Sequence, residues 1–296
     1  MPCFGPLTAY RPRSDSGDKR LVFKKTDSET GIGIKIPCGK CPGCRLEQSR
    51  QWAVRCMHEK RLHNASMFLT LTYSDANLPT DGSLVPSDLT KFLKRLWHVN
   101  KSLRYFACGE YGEKTDRPHY HVLVLNQDFN DKRPIKSGSQ YTLYESPLLS
   151  KLWPYGHNAI GDVNFESAAY VARYCMKKRQ NGKTRTDGKT PEYIVMSRNP
   201  GLGAGYFDKY QDELINHDTI IVNGLPAALP RFYDNKLAGL TGFTEKCGLY
   251  SKFELLKLKR RRKLTSPLSR ADRTQRRLRI RELVMLAKLK TKVTEL

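Results

Sequence analysis

The run Arg117-Pro118-His119-Tyr120-His121-Val122-Leu123-Val124-Leu125 constrains the fold more than any other stretch of this chain. Proline has no backbone donor and suits the first position of a strand. The residues that follow are apolar and partly β-branched, so the run reads as a short buried strand entered at Pro118. Side chains two apart on a strand share a face. His119 and His121 therefore point one way and Tyr120 the other. Two imidazoles on one face can hold a divalent metal, or can simply hydrogen-bond at a strand end. An isolated His-x-His recurs by chance, so the neighbouring segments must decide between these readings.

Those segments belong to a chain of 296 residues, long enough for one large domain or two small ones. Its 52 Lys and Arg outnumber 29 Asp and Glu, for a net charge of +23. Such an excess points to a polyanionic partner, nucleic acid first and an anionic membrane surface second. Against the membrane, no run of 18 apolar residues exists, and the start lacks the basic–apolar–small order of a signal peptide. A soluble protein with no membrane partner, working inside a cell, is the expectation.

In that compartment Cys38, Cys41 and Cys44, in C-x2-C-x2-C spacing, read as metal ligands rather than disulfide partners. Gly39, Pro42 and Gly43 shape the tight turns of a zinc knuckle. Redox-inert buried thiols and an iron–sulfur cluster are the competing readings. Three thiolates leave one corner of a tetrahedron open. Cys3 is the first choice to fill it, with Cys56 and His58 as rivals. Four ligands leave no open position for chemistry, so the expected role is structural.

Along the chain, residues 1–36 read as loop followed by a short alternating strand at Ile32, Ile34 and Ile36. A helix is expected from Cys44 to His63. Met67, Leu69, Leu71 and Tyr73 alternate as one face of a strand. Ser87 is expected to cap a helix whose Leu89, Phe92, Leu93, Leu96 and Trp97 form an apolar stripe. A strand over Leu103–Glu110 and a hairpin link lead into the His119 strand. Residues 126–150 read as loop, Ile160–Phe165 as a strand, and Ser167 as the cap of a helix running to Lys178. Gly201-Leu-Gly203-Ala-Gly205 lacks the Gly-Lys-[Ser/Thr] of a P-loop and reads as a turn before Tyr206. Residues 251–296 carry 16 Lys and Arg against 4 acidic residues. With Ile280, Leu283, Val284 and Ala287 in helical register, they read as a basic amphipathic helix. Phosphate contact and a solvated charged face are both open for it.

Glu110 closes the strand before the histidine strand and can lie beside them. Tyr170 and Tyr174, at i and i+4, share one helix face, and Lys177 roughly continues it. A metal held by His119, His121 and Glu110 would keep positions open for phosphate oxygens and polarise a phosphodiester. A tyrosine hydroxyl is a weak nucleophile without a cation nearby, which Lys177 could supply. Its attack would leave a 5′-phosphotyrosine and a free 3′-hydroxyl.

Taken in order, Phe68-Leu-Thr-Leu-Thr-Tyr73, His119-Tyr120-His121 and Tyr174-Cys-Met-Lys177 resemble the three motifs of the HUH endonucleases that start rolling-circle replication. The pair in Tyr170-Val-Ala-Arg-Tyr174 resembles their two-tyrosine subgroup. Cys38-Gly-Lys-Cys-Pro-Gly-Cys-Arg45, Arg50-Gln-Trp-Ala-Val-Arg55, Cys108-Gly-Glu-Tyr-Gly-Glu113 and Met196-Ser-Arg-Asn-Pro-Gly201 are similar to the replication initiators of gokushovirus-type phages, Microviridae with single-stranded DNA. The resemblance covers residues 1–210.

It implies an α+β fold, a ferredoxin-like or RRM-like antiparallel sheet with flanking helices. An N-terminal Cys-rich knuckle (1–66), an endonuclease core (67–210) and a C-terminal extension with the basic helix (211–296) are the expected parts. It implies Mg²⁺ or Mn²⁺ on His119, His121 and an acid, Glu110 or the nearby Glu113. Tyr170 and Tyr174 would be nucleophiles. The cysteine cluster belongs to the phage subgroup rather than to HUH nucleases generally. The spacing alone makes Cys38, Cys41 and Cys44, with Cys3 as the fourth ligand, the expected holders of structural Zn²⁺. The substrate would be single-stranded and supercoiled origin DNA in the host cytoplasm. Host helicase and polymerase would be partners, since no Walker motif is present. Two other functions remain open: a zinc-stabilised DNA-binding protein without catalysis, and a relaxase or transposase of the same nuclease class.

Overall fold

The computed structural model describes residues 3–17, 20–137, 142–177, 187–240, 256–260, 262, 266 and 271–294. The chain runs through β1 (Leu7–Ala9), β2 (Ile34–Ile36), α1 (Pro42–Lys60), β3 (Ser66–Thr72), α2 (Pro86–Val99), β4 (Arg104–Tyr111) and β5 (Pro118–Leu125). It continues through β6 (Arg133–Ser137), β7 (Thr142–Glu145), α3 (Pro147–Leu152), β8 (Asn158–Gly161), α4 (Phe165–Lys177) and β9 (Tyr193–Met196). Then follow α5 (Ala204–His217), β10 (Thr219–Val222), β11 (Leu225–Ala228), α6 (Arg231–Leu240) and α7 (Gln275–Thr294). Two compact units result, one of residues 49–256 and one of residues 1–48 with 257–296. No described helix is long and apolar enough to cross a membrane.

The larger unit is built on a seven-stranded sheet in the order β6-β7-β8-β3-β5-β4-β9, with neighbours antiparallel. Alternation divides its side chains between two cores. Met67, Leu69 and Leu71 of β3 join Tyr120, Val122 and Val124 of β5 beneath α2 and α3. Burying Leu89, Phe92, Leu93 and Leu96 of α2 there is worth about 1.5–3 kcal/mol for each side chain. On the opposite face Phe106 and Cys108 of β4 and Leu123 and Leu125 of β5 pack under α1 and α4. Tyr120, as its position between the histidines requires, lies on the α2 side, where its hydroxyl donates to Val85 O at 3.0 Å.

Several elements differ from the sequence expectation, each for a local reason. Helix α1 begins at Pro42, inside the cysteine run, rather than after Cys44. Helix α2 starts at Pro86 with Val85 as N-cap, and Ser87 caps nothing; the fixed φ of proline at N1 takes the place of a capping bond. Trp97 is 46% exposed and stands outside the apolar stripe. The span 126–150 holds the β6–β7 hairpin and α3, which Ser146 caps by accepting from Leu149 N–H at 3.1 Å. Strand β6 is the sheet edge and β7 lies next to it, and the polar and charged residues of the two lack the alternation that marks a buried strand. Strand β8 ends at Gly161, and the chain has turned into α4 by Phe165.

The glycine run does form a turn ahead of α5. Gly203 has φ +79°, and a Cβ there would meet the Tyr233 hydroxyl at 2.7 Å, so only glycine fits. Glu59 anchors this turn to the sheet: Oε2 accepts from Gly203 N–H at 2.6 Å and Oε1 from Arg104 at 2.9 Å.

In the smaller unit β1 and β2 pair antiparallel, Leu7 opposite Ile36. Its helix α7 leaves Ile280, Leu283 and Val284 exposed.

Candidate functional site

Strand register assembles the first cluster. Pairing of β4 with β5 sets Glu110 opposite His119 and Cys108 opposite His121. On the other side of β5, β3 sets Thr70 opposite His121. Arg117 secures the mouth of β5 by donating to Asp75 Oδ1 at 2.6 Å and to Tyr73 O at 3.1 Å. Helix α4 brings Tyr170 over this face. Asn164 caps the helix, not Ser167: Ser167 N–H donates to Asn164 Oδ1 at 2.7 Å, and Asn164 N–H to Ser167 Oγ at 3.0 Å. This reciprocal pair satisfies two backbone donors at once.

Ligand atoms of Glu110, His119 and His121 lie within 4.8 Å of one another. Nε2 of His119 is 2.8 Å, and Nε2 of His121 2.9 Å, from the same oxygen, Oε1 of Glu110. The rival acid Glu113 is exposed in the turn between β4 and β5 and stands outside this cluster. His119 Nδ1–H donates to Arg117 O at 3.1 Å. His119 Nε2 in turn hydrogen-bonds Glu110 Oε1. A carbonyl and a carboxylate only accept, so the ring donates from both nitrogens here. Its neutral form, with the proton kept on Nδ1 by Arg117 O, bares a lone pair at Nε2. Glu110 is 1% exposed. Its second oxygen, Oε2, and Nε2 of His121 are buried without a hydrogen-bond partner, so the 2.9 Å approach of His121 lacks hydrogen-bond alignment. Buried polar atoms of this kind are costly unless something satisfies them. A carboxylate and two imidazoles converging in this way fit a divalent cation.

The charges are coupled. Burial acts to raise the Glu110 carboxyl, but the close approach and charge of His119 and His121 outweigh it and hold the group at about 2. Burial acts to lower His119, and the Glu110 carboxylate outweighs it, so this ring is raised; Glu192 contributes in the same sense.

Tyr170 joins the cluster directly. Its hydroxyl donates to Glu110 Oε1 at 3.1 Å. Its ring stands edge-on to His121, with centroids 5.2 Å apart at 88°. The Arg173 guanidinium lies 5.7 Å from the Tyr170 ring centroid. The backbone of Tyr174 and Lys177 continues α4, but their side chains lie outside the described residues.

The second cluster brings Cys3, Cys38, Cys41 and Cys44 together, their sulfurs within 4.8 Å of one another. Backbone N–H groups point at the sulfurs: Cys38 N–H to Cys3 at 3.3 Å, Cys41 N–H to Cys38 at 3.4 Å and Phe4 N–H to Cys41 at 3.4 Å. Burial acts to raise Cys38, yet the backbone N–H groups of Lys40 and Cys41 and the thiols of Cys41 and Cys3 outweigh it and bring the thiol down to about 7, while burial pushes Cys44 up. Four converging sulfurs suit a thiophilic metal. The rivals are elsewhere. Cys56 is buried in the core under α1 and α4. His58 stacks on Tyr206 at 3.9 Å and shares a 2.8 Å hydrogen bond with the Tyr233 hydroxyl.

Sequence reasoning missed three residues that act on the first cluster or on Tyr170 beside it. Thr70 lies 3.1 Å from His121 Nδ1. Its strand alternation held the signal, since Phe68, Thr70 and Thr72 face away from the apolar set. Arg173 is one turn from Tyr170 and was legible from helical spacing. Glu192, just before β9, carries no local signal at all.

A family model described as replication-associated protein ORF2/G2P matches residues 66–179. Over 248 residues the chain is 33% identical to the replication-associated protein VP4 of Bdellovibrio phage phiMH2K, covering 79% of this chain and 76% of that protein. It is 33% identical over 223 residues to the replication-associated protein ORF2 of Spiroplasma virus 4, covering 70% and 68%. With the replication-associated protein ORF4 of Chlamydia phage 1 it shares 28% identity over 220 residues, covering 71% and 55%. No solved structure matches the chain.

Proposed function

Because this chain belongs to the phage replication-associated proteins, the rolling-circle initiators of Microviridae, we propose that it is the endonuclease that nicks the phage origin through a tyrosine. The observation that carries this reading is the 3.1 Å hydrogen bond from the Tyr170 hydroxyl to Glu110, inside the Glu110–His119–His121 cluster. A nucleophile and a cation site thus meet at one carboxylate. Mg²⁺ or Mn²⁺ in that site would offset phosphate charge and polarise the scissile phosphodiester.

The chain's own residues do the rest. Tyr170 oxygen attacks phosphorus and loses its proton. The bond from phosphorus to the 3′ oxygen breaks, and that oxygen takes up a proton as the free 3′-hydroxyl. The 5′ phosphate stays on the tyrosine. Attack of a 3′-hydroxyl on the phosphotyrosine reverses the step and rejoins the strand. Tyr174, one helical turn on, is the second nucleophile, with Lys177 as the neighbouring cation. While one tyrosine carries the first 5′ end, the other makes the second cut. Host helicase and polymerase open and copy the strand. The cysteine cluster holds Zn²⁺ and supports the N-terminal fold.

The test is incubation with a single-stranded origin oligonucleotide and Mg²⁺ or Mn²⁺, followed by a gel for protein-bound DNA. Adduct is expected in Tyr170→Phe and Tyr174→Phe singly, each reduced, and none in the double variant. Full adduct in the double variant would overturn the assignment. Complete loss in Tyr174→Phe with Tyr170→Phe unimpaired through repeated cleavage and joining would leave one nucleophile and remove the alternation.

A further inference from the structure

We propose that Thr70 is a positioning residue for the cation site: its hydroxyl accepts a hydrogen bond from Nδ1–H of His121, which keeps the Nε2 lone pair of that ring turned toward Glu110. The inference rests on the proposed function, because it concerns the same site.

An imidazole that binds a cation through one nitrogen must carry its proton on the other, and the group bonded to the second nitrogen selects that tautomer. The two histidines solve this differently. His119 uses a main-chain carbonyl, Arg117 O, 3.1 Å from its Nδ1. That group only accepts, so the His119 tautomer is decided by the backbone. His121 has no carbonyl in that position; its Nδ1 faces Thr70 Oγ1 at 3.1 Å. A hydroxyl both donates and accepts, so Thr70 admits either tautomer by itself. The other side of the ring breaks the tie. Had Thr70 donated to Nδ1, the proton would sit on Nε2, facing Glu110 Oε1 2.9 Å away. Yet Nε2 makes no aligned hydrogen bond. Nδ1–H donating to Thr70 leaves Nε2 bare, as a cation ligand requires.

The ring's orientation is held as closely as its tautomer. Phe68, two residues before Thr70 on the same strand face, stacks on His121 with centroids 5.3 Å apart at 20°. Tyr170 closes the ring edge-on. Thr70 itself is held opposite His121 by the β3–β5 register, which keeps its hydroxyl beside this ring. This gives the alternating run of β3 a role beyond strand formation. Its apolar residues build one core, while its intervening residues stack and hydrogen-bond the metal-side histidine.

Thr70→Val keeps the β-branched shape and removes the acceptor; Thr70→Ser keeps the acceptor. Mn²⁺ affinity of the full chain, read from free Mn²⁺ by electron paramagnetic resonance, separates them. Thr70→Val should bind Mn²⁺ about 10–100-fold more weakly, the usual loss for an outer-shell partner, and Thr70→Ser close to wild type. Nitrogen-15 spectra of the cation-free wild type should show the neutral His121 ring already protonated on Nδ1, which tests the Thr70 bond even if Thr70→Val fails to fold. Undiminished Mn²⁺ affinity in a folded Thr70→Val, equal weakening in Thr70→Ser, or a proton on Nε2 would each overturn the inference. His121→Ala provides the separation from the parent reading. If it loses Mn²⁺ while Thr70→Val does not, only the Thr70 role falls; if it binds Mn²⁺ like wild type, the cation site itself falls.

Discussion

Glu110 is the residue on which the candidate site turns, because three side chains share one of its oxygens. His119 and His121 approach Oε1 at 2.8 and 2.9 Å, and the Tyr170 hydroxyl at 3.1 Å. The pH dependence of stability should show this. The carboxyl is held at about 2, below its ordinary 4.5, so the stability it contributes is present above the ordinary value and lost as pH falls toward about 2. His119 is raised, so its share is present below its ordinary 6.5 and lost as pH climbs through the folded value. In cation-free buffer, denaturant titrations of wild type and Glu110→Gln should therefore differ most between those limits. The gap should shrink on acidification to about pH 3. A gap that widens on acidification would contradict the depressed carboxyl.

Helix α4 is the element that delivers Tyr170, and its start is set by the Asn164–Ser167 pair rather than by Ser167 alone. Asn164→Ala should cost about 1 kcal/mol of stability, as for other lost N-caps. Because the helix carries Tyr170 to Glu110, adduct formation should fall more than DNA binding does. Equal loss of both, or loss of neither, would detach the cap from the site. The cysteine cluster is the corresponding element of the smaller unit. Structural Zn²⁺ contributes on the order of 10 kcal/mol to folding in small modules. A thiol-selective chelator should therefore expose the segment around β1 and β2 to protease while Mn²⁺ binding at Glu110 persists. Freshly purified protein without zinc or iron by elemental analysis would refute the cluster's metal. Expectations about elements fared unevenly for a physical reason. Buried strands and the α2 stripe announce themselves by periodicity, whereas the β6–β7 hairpin at the sheet edge mixes polar and apolar residues on both faces and leaves no such pattern.

For the whole molecule, the net charge of +23 sets how it meets DNA. Residues 251–296 hold 16 of the 52 Lys and Arg, so they should carry a disproportionate share of non-specific affinity. Each phosphate neutralised adds roughly 0.9 to the slope of log affinity against log salt on duplex DNA. Removing residues 251–296 should flatten that slope, measured by fluorescence anisotropy across a salt series, and leave Mn²⁺ binding intact. An unchanged slope would assign the basic segment to packing or to another partner.

By itself the sequence determined what one strand or one helix can express. Period-two alternation puts His119 and His121 on one face and Tyr120 on the other, and C-x2-C-x2-C spacing marks Cys38, Cys41 and Cys44 as one group. These are local, because a strand's pleat and a turn's length are set by a few consecutive residues. Tertiary structure alone decided which distant groups meet them. Cys3 over the two rivals, Glu110 over Glu113, and Thr70 across 51 residues from His121 follow from how strands dock and in what register. A strand's sequence specifies its two faces, but its neighbours are chosen by burying those faces together, a property of the assembled sheet rather than of any one segment.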